Sequence, residues 1–175
     1  VGWAEVYCSG VYYGIYMIIE KHDDSMIEAR RPGGGELGMI FEPNENEGGG
    51  WGGDFGSGNI SFNYETGPDP VPAEALDSLN AASAIIGGPA TDARVAELWN
   101  HMDKEMLLTY LAWETLVGHT DGYKAVNNWR VFVDGTTFKI ELSPSGAEWT
   151  WDSSVDPWSF GGAAANFCIC LLYTS

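Results

Sequence analysis

The chain has 175 residues, of which 45% are hydrophobic and 13% aromatic, enough for one domain with a real core and too much for a disordered tail. Its 25 acidic residues against 8 basic ones give a formal charge of -17, a field that repels phosphate backbones and anionic lipid surfaces and argues against nucleic acid as a partner. The same balance is compatible with divalent cations, with basic protein substrates, or with solubility in a salty, extracellular or cell-surface setting.

The opening residues "VGWAEVYCSG" read directly as strand, with no charged and apolar leader, so the chain is expected to be a piece of a longer protein. Residues 3–8 and 12–20, rich in Val, Ile, Tyr and Trp and separated by "SGV", predict a β-hairpin. The apolar run "YYGIYMII" at 12–19 is too short to span a bilayer and is interrupted by Gly14. Residues 25–30 predict one or two helical turns, and "RRPGGGELGMIFEP" a loop leading into a strand near 37–42. Residues 44–69 are dominated by Gly, Asn, Asp and Glu. They lack the spaced acidic pattern of a calcium loop and read as a surface loop or insertion, with a brief strand at 59–64.

Three helices are expected next. "VPAEALDSLNAASAII" carries Pro72 in a tolerated first-turn position and sets Leu76, Leu79, Ile85 and Ile86 at helical spacing before "GGP". "TDARVAELWNHM" starts at the N-cap Thr91 and aligns Val95, Leu98, Trp99 and Met102. Asp103 caps "KEMLLTYLAWETLV", whose stripe Met106, Leu107, Tyr110, Leu111, Glu114 and Val117 is apolar except for the glutamate. "WRVFVDGTTFKIEL" reads as a second hairpin turning about "DG", and the order of elements predicts an α+β fold. Cys8, Cys168 and Cys170 make neither a disulfide framework nor a zinc site.

Between the third helix and the second hairpin lies "GHTDGYKAVNN", with His119, Asp121, Asn127 and Asn128, followed after the hairpin by Glu148 and Asp152. One carboxylate base, one neutral oxygen ligand and one further carboxylate are the parts needed to orient a hydroxyl nucleophile and hold Mg²⁺ on nucleotide phosphates. The same loop read alone is an Asx turn at Asp121 and Gly122, with His119 at a helix C-terminus and the asparagines serving the backbone.

"VYCSGVYYGIYMIIEKHDDSMI" resembles the hairpin signature of the CotH kinase family, atypical protein kinases first recognised in bacterial spore coats. "MDKEMLLTYLAWETLVGHTDGYKAVNNWRVFVDGTTFKIEL" is similar to that family's later block, and "SPSGAEWTWD" to its "P-W-g-x-D" motif; the resemblance covers most of residues 3–24 and 102–152. It implies an atypical protein-kinase-like fold over residues 1–167, without the N-terminal part of the N-lobe and its phosphate-holding Lys or Arg. It also implies transfer of the ATP γ-phosphate, with Mg²⁺, to a Ser or Thr hydroxyl of a protein substrate. By position, Asp121 matches the catalytic aspartate, Asn127 or Asn128 the metal-binding asparagine, and Glu148 the metal-binding aspartate. Glu20 would border the adenine pocket; His119 and Asp152 are secondary candidates.

Two departures keep rival readings open. Glutamate at 148 moves the ligand carboxylate by roughly 1 Å relative to aspartate, at a metal that tolerates little geometric error, and Ser145 stands where the family has tryptophan. A pseudokinase or structural coat protein is therefore an alternative, as is a secreted carbohydrate- or calcium-binding module suggested by the Trp-, Gly- and acid-rich composition. The tail 168–175, ending "CLLYTS", resembles translated sequencing-adapter DNA and carries no argument.

Overall fold

The computed structural model describes residues 2–18, 21–30, 38–43, 62–119, 122–123 and 128–145. Strands β1 (Gly2–Cys8) and β2 (Val11–Ile18) form an antiparallel hairpin. Ser9 and Gly10 close it in two residues, both with positive φ (50° and 80°), the geometry whose twist matches that of the flanking strands. Register slips between Val6 and Tyr7, opposite Gly14 at φ 123°, so the ribbon bulges there. Trp3, Tyr12, Tyr13, Ile15 and Tyr16 are all exposed on this ribbon.

The second sheet has the order β4-β3-β5-β6 and is antiparallel throughout, formed by β3 (Met39–Pro43), β4 (Phe62–Thr66), β5 (Trp129–Val133) and β6 (Ile140–Pro144). Strand β4 overlaps the strand expected at 59–64, of which residues 59–61 lie outside the described ones, and its Phe62 and Tyr64 meet Phe41 on β3. The hairpin of β5 and β6 does not turn in two residues at "DG". Residues 134–139 form a longer connection, because the Asp134 carboxylate accepts from the backbone N–H groups of Thr136 (3.0 Å) and Thr137 (2.7 Å) and from the Thr137 hydroxyl (2.9 Å). An Asx turn has displaced the tight turn that the dipeptide alone suggests.

Helix α1 (Asp24–Arg30) is tied to β4 by a hydrogen bond from Thr66 to Asp24. Helices α2 (Ala73–Ile86), α3 (Asp92–Leu98) and α4 (Lys104–Leu116) follow in the expected order. Pro72 stands just outside α2, in the cap position; Thr91 and Asp103 cap α3 and α4 by accepting from Arg94 N–H (3.4 Å) and Met106 N–H (3.0 Å). The buried face of α2 is Ala75, Leu79, Ala82, Ile85 and Ile86, with Leu76 exposed. Ala75 and Ala82 occupy the buried positions, so the face turned to the core is offset from the stripe that the spacing of Leu76 suggests. Helix α3 ends at Leu98, so Trp99 is its C-cap and Met102 forms an isolated bridge to Ile140.

One core joins these layers. Trp129, Val131 and Val133 of β5, with Met39, Phe41, Ile140 and Leu142, present one sheet face to Leu79, Ile85, Leu98, Leu107 and Leu111. The strands alternate as a sheet with one fully buried face must: Arg130 and Phe132 point the other way, opposite Ser143 and Glu141.

Candidate functional site

Helix α4 ends in a Schellman motif that builds one side of the candidate loop. Gly118 takes a left-handed φ of 57°; its N–H reaches the Thr115 carbonyl (3.3 Å), and the His119 N–H reaches the Glu114 carbonyl (3.1 Å). This turn brings the His119 ring back over the helix, where Nδ1 lies 2.8 Å from Glu114 Oε1. The Tyr110 hydroxyl donates to the same oxygen at 2.9 Å. Glu114 and His119 are fully buried, and Trp113 meets the imidazole edge to face at 5.8 Å.

Gly122 comes down on the same pair. A Cβ there would fall well inside van der Waals contact with both Glu114 carboxylate oxygens and His119 Nδ1, so only glycine fits. Tyr123 then drives into the core, perpendicular to Trp129 with centroids 5.2 Å apart and edge-on to Tyr110 at 6.3 Å. The described residues on either side of 120–121 thus rest on groups that the core encloses. Burial, together with the negative charge and hydrogen bond of Glu114, holds the Tyr110 hydroxyl well above its ordinary pKa of 10.0.

Asn128 opens β5 with φ 48°, a left-handed conformation that asparagine adopts more readily than most residues. Its carbonyl accepts from Ser145 N–H at 2.8 Å, continuing the register of Trp129 with Pro144 by one further pair. The end of β6, three residues before Glu148, is thus fastened to one of the two candidate asparagines. Asp121, Asn127, Glu148, Asp152 and Glu20 lie outside the described residues. His119 is fully buried, against Glu114 and Trp113.

On the sheet face opposite the main core is a cleft of about 530 Å³. His22, Met26 and Ile27 wall it on the α1 side, Met106, Thr109, Tyr110 and Trp113 on α4, and Ile40, Arg130, Phe132, Glu141 and Ser143 form its floor and rim. Arg130 is ion-paired with Glu42 and half-buried, which fixes the guanidinium at the rim. An apolar cleft with a few convergent polar groups, lined on one side by residues that follow the first hairpin, has the make-up of a small-molecule site. Two sets of residues escaped the sequence reading. Glu114 was visible as a carboxylate in an apolar stripe, and Arg130 as the polar member of an alternating strand. The cleft itself depends on long-range packing.

A family model described as CotH kinase protein matches residues 1–152. The chain belongs to the CotH kinase family. No curated protein matches it. Membership brings a kinase-like function at the level of the family, and among the described residues the architecture is α+β, with two antiparallel sheets and four helices framing the cleft. Among the described residues, no group of three or more His, Cys, Asp or Glu side chains is arranged to hold a metal ion, and no helix is long and apolar enough to cross a membrane.

Proposed function

We propose that this CotH kinase-family chain transfers the γ-phosphate of ATP to a Ser or Thr hydroxyl of a protein substrate. Asp121 is the general base, accepting the hydroxyl proton as the oxygen attacks γ-phosphorus and the bond to the β,γ-bridging oxygen breaks to release ADP. Asn127 or Asn128 and Glu148 are the metal ligands; amide and carboxylate oxygens are the hard donors that Mg²⁺ takes. The ion, when bound, neutralises charge on the phosphate oxygens. The cleft would take the adenosine, with Met26, Ile27 and Phe132 supplying apolar surface for a base and Arg130 and Glu141 polar groups. The observation that carries this reading is the Asn128–Ser145 hydrogen bond, which fastens the start of β5 to the strand end leading to Glu148.

The test is transfer of label from γ-labelled ATP to Ser- or Thr-rich acceptor proteins in the presence of Mg²⁺. Asp121→Asn is expected to abolish it while nucleotide binding persists, and chelation to stop it reversibly. Absence of transfer by the full-length protein, with nucleotide binding indifferent to Mg²⁺, would sink the reading. Glu148 in place of aspartate favours a second reading, a pseudokinase that binds ATP without turnover. Gain of transfer in Glu148→Asp would identify the native site as a weakened one.

A further inference from the structure

We infer that Glu114 is a positioning residue for the candidate catalytic loop, a buried carboxylate that clamps both ends of the turn from His119 to Gly122. The inference rests on the kinase reading for its catalytic consequence, and on geometry alone for the clamp. A carboxylate in the interior is costly, and leucine at 114 would continue the stripe of Leu107, Leu111 and Val117. What the carboxylate provides instead is a fixed acceptor: Oε1 takes the Tyr110 hydroxyl and faces His119 Nδ1, and both oxygens fill the space that a Cβ on Gly122 would need. Oε2 has no hydrogen-bond partner among the described residues, so its desolvation is offset only through the rest of the cluster.

Between the two clamped residues lie only Thr120 and Asp121. The described residues on either side, His119 and Gly122, rest on the same buried carboxylate, one through a hydrogen bond and the other through close packing. Phosphoryl transfer needs that restraint, since a base displaced by about 1 Å can cost on the order of a hundredfold in rate. Tyr110 holds the carboxylate from the helix side, one turn earlier, and Trp113 holds the imidazole against it.

Backbone amide exchange and steady-state kinetics of the full chain test this together, in wild type, Glu114→Gln and Gly122→Ala. In Glu114→Gln, amides of residues 118–123 are expected to exchange about tenfold faster or more while those of β5 and β6 stay within about twofold. kcat for phosphoryl transfer falls about tenfold or more, with KM for ATP within about twofold. Gly122→Ala, which forces the loop off the carboxylate from the other side, gives the same pattern and serves if Glu114→Gln does not fold. Unchanged exchange at 118–123 overturns the clamp, and faster exchange with undiminished kcat overturns its role in positioning. If the wild type transfers no phosphate at all, the kinase reading falls separately and the exchange ratio still decides the clamp.

Discussion

Tyr110 and Glu114 stand one turn apart on α4, hydroxyl to carboxylate at 2.9 Å, both sealed from solvent. The neutral phenol is favoured in the folded state, so its pKa is raised above 10.0. A raised folded pKa means that the native state holds the proton more tightly than the unfolded chain does. The stability it contributes is therefore complete below about pH 10 and is lost as pH climbs from there towards the folded pKa. Thermal unfolding followed from pH 8 to 11 should show the wild type losing stability above pH 10 more steeply than Tyr110→Phe, which starts lower by about 1–2 kcal/mol for the lost bond to a charged acceptor.

Gly118 makes the turn that returns His119 to the helix. Gly118→Ala puts a Cβ at φ 57°, and should cost about 1 kcal/mol in urea denaturation. Because the same turn sets the loop, Gly118→Ala should also lower kcat in the transfer assay, whereas an alanine at the exposed Leu116 should change neither.

Arg94 closes the far end of α2. Its Nη2 donates to the carbonyls of Ala84 (2.6 Å) and Ile85 (2.7 Å), and the guanidinium fills the space a Cβ on Gly88 would need. Arg94→Ala and Gly88→Ala should each cost about 1–2 kcal/mol by chemical denaturation. The double variant should fall short of their sum, because both remove the same capping contact.

In the proposed function the cleft binds the nucleotide and Asp121 acts on it, so the two can be tested apart. Thr109→Trp, on the cleft wall, should weaken ATP binding about tenfold or more in calorimetric titration, since an indole would project from the wall into the space proposed for the base. Asp121→Asn should leave the same titration within about twofold while abolishing transfer.

Much of this architecture was legible wherever a local signal and a burial pattern agreed. Thr91 and Asp103 marked two helix starts correctly because a cap is a contact within three residues. Ser9 and Gly10 marked the first hairpin for the same reason. The second hairpin misled because Asp134 could serve either a tight turn or an Asx loop, and the choice lay with Thr136 and Thr137. Leu76 misled because spacing does not say whether leucines or alanines face the neighbouring helix. At the candidate site, the loop was visible in "HTDG", but its foundation was not. Glu114 gains its meaning only when Gly118 bends the chain back and Gly122 comes to rest on it, relations that join residues through space.

The six-residue connection at Asp134 lies at the opposite end of β5 and β6 from Asn128 and Ser145. Two five-residue strands separate them, a distance of about 17 Å at the usual rise per residue. Pairing in a hairpin is indexed from its turn, and a slip of one residue sends each side chain to the other face. The Asp134 turn therefore works as the zero mark of a ruler whose far end is the proposed metal site. Chemistry at the Asp134 turn decides which atom of the β6 terminus meets Asn128, so under the proposed function a change in that turn would reach the metal ligands without touching any of them.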